Sequence, residues 1–118
     1  MLSLSPGLLG LALRWARDFA FTQIVEVPIY RRAFRCGFWE AFGASAITHP
    51  LVWWFNASHA WHVSWVWRAA ACESFAWLVE AAYFRFVFGR SRALLWSFAA
   101  NGVSFSLGLA CWYFLGLR

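Results

Sequence analysis

The sequence predicts an all-α fold, an integral membrane four-helix bundle. Hydrophobic residues make up 63% of the 118 residues, and charged residues make up only 13%. In a soluble domain, about half of the residues are hydrophobic and about a quarter are charged. Four apolar segments, each about as long as the ~20 residues that cross a bilayer, fill most of the chain. The length therefore allows a single transmembrane domain over residues 1–118 and leaves no room for a separate soluble domain.

Short turns rich in glycine, serine and charge divide the chain into its predicted spans. A turn at residues 35–37 closes the first hairpin, and the Gly/Ser turn at residues 89–92 closes the second. Between the hairpins lies a polar loop with His59 and His62, which we interpret as solvated rather than metal-binding because no further ligand is near. Residues 7–17 form either an interfacial helix or the start of a longer first span. The predicted spans are 19–34, 38–55, 65–88 and 93–117.

The ten basic residues are all arginines, and they collect at the span ends. This placement is typical of topology signals, so no nucleic-acid partner is predicted despite the net charge of +5. Six arginines lie at the end that carries the two hairpin turns, against four at the other end. The excess predicts a bacterial inner-membrane protein with both hairpin turns in the cytoplasm. The six are Arg31, Arg32, Arg35, Arg85, Arg90 and Arg92.

An internal repeat predicts that the bundle is a parallel duplication of a helical hairpin. Residues 42–51 resemble residues 98–107 at a spacing of 56, and the first and third spans match at a spacing of 54. Because each unit has two spans, both copies enter the membrane in the same direction. The matches between the first and third spans are Val25 with Val79, Glu26 with Glu80, Arg31 with Arg85 and Phe34 with Phe88.

Every predicted span carries polar side chains on one helical face. Lipid penalises such side chains, a central carboxylate by ~3 to ~10 kcal/mol on different scales, so we expect all four faces to turn inward. We expect the two repeated glutamates to pair there with a histidine, an asparagine, a tyrosine or an arginine. The predicted buried polar cluster comprises Gln23, Glu26, Tyr30, Ser45, Thr48, His49, Glu73, Glu80 and Asn101.

The carboxylates allow two interpretations each. Glu26 and Glu80 either stabilise the bundle through an arginine or helix end, or bind and release a proton. Glu73 lacks a counterpart in the first half and either binds a specific partner or faces water. Glu40, in the first turn of the second span, is predicted to be structural because a helix N-terminus favours negative charge. His49 is predicted to be a hydrogen-bonded structural residue rather than a ligand of haem or chlorophyll.

These features favour a non-enzymatic subunit or scaffold of a larger membrane complex, whose partners are the bilayer and other membrane subunits or further copies of the chain. Neither a cofactor nor a metal is predicted, and the three cysteines are interpreted as inert. The alternatives are a small proton- or ion-coupled transporter and, with least support, an intramembrane enzyme. The outline resembles that of the small multidrug transporters, but Glu26 is followed by Val27 and Pro28 and that family's glycine-rich third span is missing, so no family is assigned.

Overall fold

The computed structural model describes residues 6–57 and 64–116, which form four α-helices and, in this part of the chain, no strand. The predicted all-α four-helix architecture is confirmed. The predicted loop histidines His59 and His62 lie outside the described residues. The helices are α1 (Pro6–Phe34), α2 (Phe38–Ala57), α3 (Trp65–Ala82) and α4 (Ala93–Phe114), and a π-helical turn (Tyr83–Val87) extends α3.

The four helices pack in a ring in chain order. α1 packs on α2 and α4, and α3 packs on the same two helices. α1 and α3 therefore lie diagonally across the bundle, and side chains that both helices direct inward meet at its centre.

The first helix is longer than the first predicted span. Residues 7–17 are the first turns of α1, which continues without a break to Phe34. Its 29 residues extend over about 43 Å, more than the ~30 Å hydrocarbon core of a bilayer. Pro28 lies within the helix.

The third helix ends earlier than the sequence predicted. Regular α-helix stops at Ala82, and the π-helical turn carries the chain to Val87, where Phe88 was the predicted end. The amide of Arg90 donates to the carbonyl of Phe84 at 2.9 Å, and Gly89 has φ +65°, a value that costs glycine little. π-helical turns are often found at functional sites.

The described residues show an inverted distribution of polarity. Glu26 and Glu80 are among the largest fully buried side chains, together with Tyr30 and Phe84. A buried apolar cluster that includes Phe34 and Phe84 packs inside as well, but many large apolar residues lie outside, and Phe86 is 81% exposed. By length and composition one described helix, α4, could cross a membrane. Four membrane spans were predicted, and for the other three helices membrane crossing stays a prediction.

Candidate functional site: a buried carboxyl pair

Two carboxyl groups meet at the centre of the bundle. Glu26 comes from α1 and Glu80 from α3, and each side chain is only 1% exposed. Ser45 and Thr48, which lie one turn apart on α2, each donate a hydrogen bond to one of them, so the two carboxyl groups lie side by side. We call Glu26 and Glu80 the carboxyl pair.

All four oxygen atoms of the carboxyl pair accept a hydrogen bond from a hydroxyl group. Ser104 in α4 donates to Oε1 of Glu26 at 2.8 Å, and Ser45 in α2 donates to Oε2. Around Glu80, the Tyr30 hydroxyl donates to Oε1 at 2.8 Å and Thr48 donates to Oε2 at 3.1 Å. The donors come from α1, α2 and α4, so the pair links all four helices.

The two carboxyl groups depend on each other electrostatically. Charges that lie close together in a low-dielectric interior repel one another strongly, and a hydrogen bond from a hydroxyl group offsets part of that cost. Chemically, the site can bind and release a proton, and it can also serve as a fixed polar tie between helices.

Tyr30 connects the carboxyl pair to an aromatic cluster. Its side chain is fully buried, and its ring lies 4.5 Å from that of Phe84 and 6.0 Å from that of Phe34, measured between centroids. Asn101 approaches the Tyr30 hydroxyl at 3.5 Å and donates a shorter bond of 2.8 Å to the Ser97 carbonyl. Tyr30 is thus held by packing as well as by its bond to Glu80.

The hydrogen bonds follow the internal repeat in part. In the repeat, Thr48 matches Ser104 and Glu26 matches Glu80. The bond from Ser104 to Glu26 is therefore the counterpart of the bond from Thr48 to Glu80. Tyr30 breaks the correspondence, since the matching residue, Phe84, has no hydroxyl group. These paired contacts support the proposal that the chain is a duplicated hairpin with a pseudo-two-fold axis.

Seven of the nine residues of the predicted cluster are buried: Gln23, Glu26, Tyr30, Ser45, Thr48, Glu80 and Asn101. Gln23 lies apart from the pair and donates to the Phe42 carbonyl at 3.2 Å, which links α1 to α2. His49 and Glu73 are half-buried. Whether this cluster is a functional site stays a prediction.

His49 packs among aromatic rings instead of joining the carboxyl pair. Its ring centroid lies 5.3 Å from that of Phe19 and 5.9 Å from that of Trp15. The Nε2 atom is buried and has no partner among the described residues. Of the partners considered from the sequence for the two glutamates, the structure brings Tyr30 to Glu80 and does not bring His49 to either.

The sequence did not reveal the ion pair that joins the start of α2 to the second hairpin turn. Arg90 donates from Nε and from its terminal nitrogen to the two carboxylate oxygens of Glu40, both at 2.7 Å. This bond raises the pKa of the Arg90 guanidinium. The Tyr83 hydroxyl donates to the Glu40 carbonyl at 2.8 Å. Sequence spacing could not reveal this pair, because its members are 50 positions apart.

A polar groove leads from one end of the bundle towards the carboxyl pair. Its volume is about 600 Å³, and residues from α1, α3 and α4 line it. Asp18, Arg68 and Glu73 contribute charge to its wall, and Ser104 brings the groove within one hydrogen bond of Glu26. We call this space the polar groove.

No group of three or more histidine, cysteine or acidic side chains in residues 6–57 and 64–116 is arranged to hold a metal ion. Cys36, Cys72 and Cys111 are free thiols. Burial raises the pKa of the Cys36 thiol, whose sulfur approaches the Tyr30 carbonyl at 3.6 Å. Comparison with protein-family models, curated protein sequences and solved structures found no match. A functional assignment therefore rests on the residues of this chain alone.

Proposed function

We propose that this chain is a small integral membrane protein without enzymatic activity that acts as a subunit or scaffold of a larger membrane assembly. The observation that carries the proposal is the inverted polarity of the bundle. Among the described residues, 25 large hydrophobic side chains are exposed. The largest apolar patch on a typical soluble monomer covers only about 300–600 Å², too small an area to hold so many side chains. A lipid environment makes this exterior favourable.

The interior supports a structural role for the carboxyl pair. Each carboxyl oxygen already accepts a bond from a side chain of the bundle, which leaves no evident position for a substrate. Satisfied polar networks in an apolar environment fix the register of helices. The pair therefore acts as the tie that holds the four helices in one arrangement.

The exterior supports an assembly partner. Trp39 is 76% exposed and Trp54 64% exposed, and aromatic residues are enriched where proteins contact one another. The partner is another membrane subunit or a second copy of this chain. The arginine-rich hairpin turns favour a cytoplasmic position in a bacterial inner membrane.

The native mass of the protein, extracted from its own membranes in mild detergent, tests this function. We expect a complex with a stoichiometric partner, and a lower yield of that complex for Glu26→Gln and Glu80→Gln. Glu73→Gln is the matched control, because Glu73 lies outside the carboxyl pair. A monomer without a partner, or a normal yield of complex for both variants of the pair, would contradict the proposal.

A second candidate function is proton- or ion-coupled transport, which the polar groove specifically favours. Glu73 in its wall and Ser104 at its inner limit provide a polar route towards Glu26. In liposomes, Glu26→Gln and Glu80→Gln should abolish substrate-dependent proton flux while the protein stays folded. Unchanged flux in both variants would eliminate this candidate.

A further inference from the structure

A second and larger groove runs between α1 and α2 on the outer surface of the bundle. Its volume is about 1080 Å³. Phe19, Ile24 and Val27 line its apolar part, while Arg31 and Arg32 lie at the end where α1 terminates. Arg35, in the turn that follows, lines the same end. We call it the arginine groove.

We propose that the arginine groove binds one anionic phospholipid, with its phosphate at the three arginines and an acyl chain along the apolar wall. The inference rests on the membrane location proposed above but not on the assembly partner or on the carboxyl pair. It adds a ligand class and a binding site to the proposed function.

The charge in the groove is uncompensated within the described chain. Among the described residues, Arg17 pairs with Asp18 and Arg90 pairs with Glu40. Neither ion pair involves an arginine of the groove. Three arginines line the same end of the groove, and a bound anion would offset their positive charge. Guanidinium groups bind phosphate through paired hydrogen bonds, which makes a phosphate group the fitting ligand.

The length of the apolar wall favours a lipid over a free phosphate ion. From Phe19 to Arg31 the helix rises by about 18 Å, which is close to half the ~30 Å hydrocarbon core of a bilayer. The groove thus covers the depth of one leaflet and ends in cations at the level of the headgroups. A free phosphate ion would leave the apolar wall uncovered.

The second hairpin offers a built-in comparison. A groove of about 360 Å³ between α3 and α4 is lined by Leu78, Ala81 and Arg85, which match Ile24, Val27 and Arg31 in the repeat. Phe86 takes the place of Arg32 there. Arg92 also lines this smaller groove, so it carries two arginines against three in the arginine groove, and we expect it to retain an anionic lipid more weakly.

Native mass spectrometry of the detergent-purified full chain tests the proposal, with phosphatidylglycerol and phosphatidylcholine added at equal concentration. We expect one tightly retained phosphatidylglycerol. Each arginine near the headgroup should contribute roughly fivefold to affinity, so Arg31→Gln combined with Arg32→Gln should weaken retention by roughly 25-fold. Arg14→Gln, near the other end of α1, should leave retention unchanged.

Arg35→Gly separates lipid binding from folding. Arg35 has φ +51°, a conformation that glycine adopts without strain, so this variant should unfold no more easily than the parent. It should nevertheless retain phosphatidylglycerol roughly fivefold less well. An effect of the double variant without any effect of Arg35→Gly would overturn the three-arginine site.

Three further outcomes would overturn the inference. Equal retention of the two lipids by the parent chain would remove the preference for negative charge. Displacement of the lipid by millimolar inorganic phosphate would show an ion site without an acyl-chain site. Release of the chain from membranes by alkaline carbonate would remove the membrane location itself, and so would distinguish failure of that proposal from failure of the lipid site.

Discussion

Removing the single hydroxyl group of Tyr30 should destabilise the bundle measurably. In Tyr30→Phe the ring and its contacts with Phe34 and Phe84 are retained, so no cavity term is expected. The variant loses the 2.8 Å bond to Glu80 and the long 3.5 Å approach of Asn101. The second contact is beyond the usual range for a strong hydrogen bond and adds little.

The magnitude follows from what happens to Glu80. Its Oε1 atom loses the hydroxyl donor in a site that is closed to water, which in a soluble protein costs about 1–3 kcal/mol. Hydrogen bonds between membrane helices contribute less, on average about 0.6 kcal/mol, because the unfolded chain in lipid also finds partners. Since Tyr30 and Glu80 are fully buried and the bond is short, we expect a loss of about 1–2 kcal/mol in the free energy of unfolding.

Reversible unfolding in mixed micelles of mild detergent and dodecyl sulfate measures this loss. Tyr113→Phe is the matched control, because Tyr113 is 77% exposed and such substitutions usually change the free energy of unfolding by less than about 0.5 kcal/mol. If Tyr30→Phe and Tyr113→Phe unfold alike, the carboxyl pair does not stabilise the bundle through Tyr30, and the reasoning is refuted.

Three further predictions concern packing, the ion pair and the proton. Gly43→Ala should destabilise the protein, because the added Cβ would lie about 2.5 Å from the hydroxyl oxygen of Tyr83, which is hydrogen-bonded. The Cβ added by Gly102→Ala meets no atom within 4 Å, so this variant should stabilise its helix by about 0.5–1 kcal/mol. Thermal unfolding of both variants checks the contrast. Arg90→Gln should loosen the contact between the second turn and the start of α2 and speed amide hydrogen exchange around Glu40, and unchanged exchange rates would count against the ion pair. Infrared spectroscopy should detect a protonated carboxyl band that weakens in Glu26→Gln, and an unaltered band would show that the proton lies elsewhere.

The all-α four-helix architecture was predictable from the apolar runs of the sequence and the turns between them. The matching glutamates were also visible, since a carboxylate in an apolar helix is costly and directs attention to the interior. Helical spacing gives the face on which Tyr30, Ser45 or Thr48 lies. It does not give the rotamer or the partner, so the donor to each carboxyl oxygen required the structure.

Other features depend on packing between distant segments and left no signal in the sequence. His49 shares a helical face with Ser45 and Thr48, yet it packs against Phe19 and Trp15, both of which belong to α1. The π-helical turn after Ala82 likewise has no local marker beyond the glycine that follows it.

The most direct test of the inverted bundle is labelling in native membranes with a lipid-soluble photoactivated carbene, mapped residue by residue by mass spectrometry. Phe84 and Phe86 form a matched pair, because they lie in the same π-helical turn and are 0% and 81% exposed. An apolar exterior that faces lipid predicts strong labelling of Phe86 and none of Phe84. Equal labelling of the two, or labelling of neither in membranes that retain the chain, would contradict it.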